Sequence, residues 1–177
     1  MSIRLVNPEK VNEVFAHLNG SSDNHSLYTA LMDGVDITDQ IKGLSLSPGY
    51  RMVRIDGRFG NRISQSHFEL ALVNDVSKEV AYYNRMVIQP DVVLNCCPVT
   101  QILVWRILKR EHRTALHELA GQVFFGYLLE SYNVIVSDMN QTHDGISFGQ
   151  ARMYDALAYN MHVYAYDMTR LDLTLFA

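Results

Sequence analysis

Three features of the sequence predict an α+β fold: a mixed, mostly antiparallel central sheet with helices on its faces. His67–Val73 alternates with the period of a strand, Phe68, Leu70 and Leu72 on one face and His67, Glu69 and Ala71 on the other. Thr114–Ser131 carries Leu116, Leu119, Ala120, Val123, Phe124, Tyr127 and Leu128 in a broad helical stripe. Finally, the order from Gln101 to Asp167 reads strand, helix, strand, helix, strand. Such crossovers are right-handed and imply some parallel pairing. With 177 residues, 48% of them hydrophobic, the chain is long enough for one domain, 1–177, with a sizeable core.

The elements follow in order. Ser2–Val6 alternates as an edge strand. Asn7 caps a helix that Pro8 opens, with Val11, Val14, Phe15 and Leu18 at helical spacing and Asn19-Gly20 as its stop. A second helix spans Asn24–Met32, halted by Asp33-Gly34, and Asp36–Gly49 is loop. Tyr50–Ile55 is a strand broken at Gly57–Gly60. His67–Val73 and Glu79–Ile88 form a hairpin around the polar turn Asn74–Lys78. Gln101–Leu108 is an apolar run that suits a central strand. Thr114–Ser131 is one long helix, Val134–Ser137 a short buried strand, Ile146–Tyr159 a helix, and Met161–Tyr166 and Leu171–Phe176 closing strands.

Composition excludes several classes. Balanced charge and 10% aromatics argue against disorder. No apolar run approaches the roughly 18 residues of a membrane helix, and the N-terminus lacks a signal-peptide core. Cys96 and Cys97 are too few for a disulfide framework or a zinc site. A cytoplasmic protein is expected.

The net charge of -4 hides an asymmetry. Residues 51–113 carry ten Lys and Arg against six acids, whereas 114–177 carry two against seven. The basic residues concentrate in Tyr50–Arg62 (Arg51, Arg54, Arg58, Arg62) and Trp105–Arg113 (Arg106, Lys109, Arg110, Arg113). Arginine pairs bidentately with phosphate and stacks on planar groups. Tyr50 and Phe59 lie among these cations beside turns. Cations for phosphates and rings for bases are what sequence-tolerant binding of single-stranded nucleic acid needs.

Other constellations are incomplete. His117-Glu118-Leu119-Ala120-Gly121 begins like a zinc-protease helix but has Gly121 where the second ligand belongs. His143-Asp144 lacks a nucleophile in context, and Ser137-Asp138 lacks a glycine elbow. Gly57–Gly60 lacks the spacing and Lys of a phosphate loop. No metal site or catalytic residue is assigned.

The element order resembles the Gcn5-related N-acetyltransferase fold. The stretch Phe125–Asp167, with Tyr-Asn-Val-Ile-Val-Ser-Asp at 132–138 and His-Val-Tyr-Ala-Tyr-Asp at 162–167, is similar to acetyltransferase-like proteins of tailed phages. The resemblance implies a coenzyme A pyrophosphate loop at Arg110-Glu111-His112-Arg113-Thr114-Ala115 and a general acid near Tyr154. Arg113 stands where the family has its central Gly, so this loop reads as degenerate and no cofactor is expected. The expectation is therefore a non-enzymatic, phage-type accessory protein. It would bind single-stranded DNA through Tyr50, Arg51, Arg54, Arg58, Phe59 and Arg62, extended by Arg106, Lys109, Arg110 and Arg113. The rivals are an acyl-CoA-dependent N-acetyltransferase and a protein-binding inhibitor or virion component. The last would use the acidic C-terminal half against a host or viral protein, with homo-oligomer formation possible.

Overall fold

The computed structural model describes residues 15–60, 66–90, 97–136, 143–167, 170 and 172–176. The expected strand Ser2–Val6 and the start of the first helix lie outside these residues, as do Arg62 and Cys96.

The fold class is α+β, as predicted. Six strands form one mixed sheet in sequential order: β1 (Val35–Asp36), β2 (Tyr50–Asp56), β3 (His67–Asn74), β4 (Glu79–Ile88), β5 (Val99–Arg106) and β6 (Asn133–Ile135). All neighbours pair antiparallel except β5 and β6, which are parallel, as the crossover through the intervening helices requires. β1 falls where the sequence suggests only loop, because Ile37 N–H bonds Met52 and draws the segment onto β2.

Helix α1 (Ser21–Leu31) lies over one face and turns Leu27, Tyr28 and Leu31 inward. Its Asn24 clamps β4 through both amide atoms, donating to Val80 O (2.9 Å) and accepting from Val80 N (2.8 Å). The other face lies under the segment 119–132, whose Tyr127 and Tyr132 hydroxyls both receive hydrogen bonds from Arg54 of β2. β3 is covered on both sides. His67, Glu69 and Ala71 are as buried as Phe68, Leu70 and Leu72, so its alternation does not separate core from solvent.

Thr114–Ser131 is not one helix. A four-residue helix α2 (Arg113–Leu116) ends at His117, which is extended, and Glu118 takes the left-handed conformation at φ 57°. Helix α3 then runs from Leu119–Val123 through a π-helical stretch, Phe124–Leu128, to Leu129–Ser131. The apolar stripe belongs mostly to this second part, while His117 and Glu118 lie in solvent.

α4 (His143–Ala158) follows β6. The closing strands β7 (Tyr164–Asp167) and β8 (Asp172–Leu175) form a separate two-stranded hairpin. β6 is only half-buried, against the expectation of a buried strand. Among the described residues no helix is long and apolar enough to cross a membrane.

Candidate functional site

Strand geometry divides the predicted arginine cluster. Arg51 and Arg54 are three residues apart on β2, so they point to opposite faces. Tyr50 pairs with Asn74 at one end of the sheet and Asp56 with Phe68 at the other, about 20 Å apart at the rise of a strand.

Each described arginine in this segment already has an acidic partner. Arg51 Nε donates to Asp75 Oδ2 at 2.8 Å, and Tyr28 OH donates to the other carboxylate oxygen at 2.9 Å. The hydrogen bond from Arg51, opposed by burial and helped by Tyr28, holds the Asp75 carboxyl below its ordinary value. Arg54 pairs with Asp56 at 2.9 Å and lies 4.1 Å from the centroid of the Phe68 ring. Arg58 makes a two-pronged bond to Glu69, 2.7 and 2.6 Å, and the Tyr83 hydroxyl donates to the same carboxylate. Glu69 is wholly buried. Burial, reinforced by that adjacent carboxylate, raises the Tyr83 phenol well above its ordinary range. Phe59 has guanidinium groups over its ring from Arg58 at 4.4 Å and Arg85 at 4.3 Å. The described cations of this first cluster are thus paired with the protein's own carboxylates, and the Phe59 ring packs beneath two guanidinium groups.

The second cluster is arranged differently. β5 ends at exposed Arg106, and Ile107 N–H bonds Ala81 O, so the following loop runs back along the start of β4. There Lys109 pairs with Glu79. The turn Arg110–His112 folds His112 completely inside. Its Nδ1 lies 2.9 Å from Tyr50 OH and its Nε2 3.2 Å from Glu79 Oε2. Burial works to raise the Glu79 carboxyl, but the hydrogen bonds from Lys109 and His112 outweigh it and hold it below its ordinary value. Arg106, Arg110 and Arg113 are exposed, and none has a carboxylate within ion-pair distance among the described residues. Lys78, in the β3–β4 turn, immediately precedes Glu79 and so stands at the same end. The structure therefore gathers Tyr50, Lys78, Arg106, Lys109, Arg110 and Arg113 at one end of the sheet, and leaves Arg54, Arg58 and Phe59 away from it.

In the loop compared with a coenzyme A site two backbone amides close the turn itself: His112 N–H bonds Lys109 O at 3.3 Å and Arg113 N–H bonds Arg110 O. Tyr154, read from sequence as a helical core position or a general acid, is 74% exposed on α4. Cys97 is half-buried. Ser137 and Asp138, and the side chains of His143 and Asp144, lie outside the described residues. A shallow groove of about 290 Å³ beside α3 is lined by Gln40, Lys42, Tyr127 and Glu130, and a Lys42–Glu130 ion pair of 2.8 Å lies in it.

The residues that sequence reasoning missed are Glu69, Glu79 and His112. Their partners stand 11 to 62 positions away along the chain, and no local pattern marks them. Compared with protein-family models, curated proteins and solved structures, this chain matches none.

Proposed function

We propose that this chain is a non-enzymatic nucleic-acid-binding protein, of the accessory type carried by tailed phages. It would hold a single strand against the sheet end bearing Arg106, Arg110 and Arg113. The observation that carries this reading is the contrast in pairing. Arg51, Arg54 and Arg58 are already neutralised, whereas these three arginines are exposed and have none of the described carboxylates within ion-pair distance. A phosphate meeting Arg58 would have to strip a buried carboxylate of its partner; one meeting Arg110 displaces only water and counterions. Guanidinium planes also stack on unpaired bases, which favours single strands over duplexes.

Anisotropy titrations of labelled single- and double-stranded oligonucleotides at several salt concentrations test this. Three phosphate contacts give a log K against log salt slope of about -2 on single strands. The triple variant R106A/R110A/R113A is expected to lose binding, and R51A/R54A to retain it. Equal binding by the triple variant would refute the reading.

One observation favours a second reading, protein binding. The hairpin β7–β8 lies outside the main sheet and exposes Tyr164, Leu173, Leu175 and the following Phe176. Two strands alone are marginal in water, and such a surface suits a partner protein or another copy of the chain. An acyl-CoA-dependent N-acetyltransferase is the remaining alternative, and Arg113 in place of the loop glycine argues against it. Calorimetry with acetyl-CoA separates that alternative: micromolar binding would favour the enzyme.

A further inference from the structure

At the basic end of the sheet three metal-ligating side chains converge. His112 Nε2 lies 3.2 Å from Glu79 Oε2 and 3.6 Å from Glu111 Oε1, and the three donor atoms all fall within 4.8 Å of one another. Metal–ligand bonds of about 2.0–2.2 Å place donors of one ion roughly 3–4 Å apart, so little movement would bring these onto a common centre. We propose that Glu79, Glu111 and His112 form a binding site for a divalent first-row transition-metal ion, such as Zn²⁺ or Mn²⁺.

The arrangement around His112 supports a ligand role. The ring is wholly buried, and Tyr50 OH lies 2.9 Å from Nδ1. In the metal-free chain Nε2 donates to Glu79; on metal binding the ring proton would stand on Nδ1, donating to the Tyr50 oxygen, and Nε2 would turn its lone pair to the ion. A second nitrogen held in this way fixes the tautomer and orientation of metal-ligating histidines. One imidazole with two carboxylates is a mixed nitrogen and oxygen set. It suits Zn²⁺ or Mn²⁺ better than Ca²⁺, which prefers oxygen alone, or Cu⁺, which prefers sulfur.

Lys109 is the competitor. Its ammonium pairs with Glu79 through Oε1 and lies 3.9 Å from Glu111 Oε1. It supplies one positive charge against two carboxylates, and the arginines of this end stand beyond ion-pair distance of both. Its side chain is 42% exposed and so is free to swing away. Three protein ligands leave a coordination position open on the solvent side, where Glu111 is exposed and Arg110 adjoins. An anionic oxygen ligand is the chemistry that fits there. The site does not depend on the nucleic-acid reading.

The test is calorimetric titration of the full chain with ZnCl₂ and MnCl₂, with the visible absorption of Co²⁺ as a spectroscopic readout of the coordination shell. One-to-one binding is expected. E111Q should weaken it at least tenfold, and Y50F about tenfold or more by loosening His112. K109M should tighten it. Glu111 is a solvent-facing side chain, and circular dichroism of metal-free E111Q is expected to match the parent, so weaker binding there reports the ligand and not the fold. Failure of both ions to bind stoichiometrically at about 100 μM, or E111Q binding as tightly as the parent, would overturn the proposal.

Discussion

Replacing Arg58 by Met tests how the sheet tolerates a charge at its centre. Glu69 sits in mid-sheet with no exposed side-chain surface, held by two bonds from Arg58 and one from the Tyr83 hydroxyl. Without Arg58 the carboxylate keeps one donor in a medium that solvates it poorly. Breaking one side of a buried ion pair costs about 3–5 kcal/mol. The lower end, about 3 kcal/mol, applies here because Arg58 keeps roughly a quarter of its side chain in solvent and Arg85 stands nearby on the Tyr83 hydroxyl. For a domain of this length that lowers the melting temperature by roughly 6–12 °C. The double variant R58M/E69M removes both charges and fills the space with apolar atoms. It should lie within about 1 kcal/mol of the parent, the residual cost being the Tyr83 O–H left without its acceptor while Arg85 still donates to its oxygen. Urea denaturation of the parent, both single variants and the double variant closes the cycle. A cost below about 1 kcal/mol for R58M, or single effects that simply add, would refute the argument that this pair is coupled and desolvated.

Phe59→Ala should cost about 1–2 kcal/mol in thermal melts, because two guanidinium groups lose the ring beneath them, while oligonucleotide affinity in anisotropy stays unchanged. Asp75 titrates lower in the folded chain than its ordinary value of 3.8, chiefly through Arg51. A depressed carboxyl contributes stability that is fully present above the unfolded value and is lost as pH falls through the folded one. Urea midpoints measured from about pH 5 downward should therefore fall less steeply in D75N than in the parent. Gly126→Ala should destabilise by about 2 kcal/mol in urea denaturation, since its Cβ would meet the Lys42 carbonyl oxygen at 2.7 Å, a backbone contact that cannot rotate aside.

Much of the fold is legible along the chain because its signals are local. The polar turn 74–78 between two β-prone runs is enough to place the β3–β4 hairpin, and the spacing of Leu119, Val123 and Leu128 is enough to place most of α3. The break at 117–118 is not legible in the same way. Leu116 and Leu119 keep helical spacing across it, and nothing in His117-Glu118 demands a left-handed residue. The seat of His112 under Tyr50, and the anchoring of the segment 119–131 on Arg54 from β2, were therefore invisible to periodicity.

By itself the sequence determined the α+β class, the antiparallel front, the parallel return through a helix and the existence of two arginine-rich segments. These rest on periodicity and composition, which neighbouring residues carry. Only the tertiary structure decided which arginines face solvent. Arg51 meets Asp75, Arg54 meets Asp56 and two tyrosines, and Arg58 meets Glu69, whereas Arg106, Arg110 and Arg113 meet none of the described carboxylates. A cation's availability depends on where an opposite charge stands in space, and sheet register brings carboxylates from up to 24 positions away against these side chains. Register is a property of pairing between strands, and no count of residues within one strand contains it.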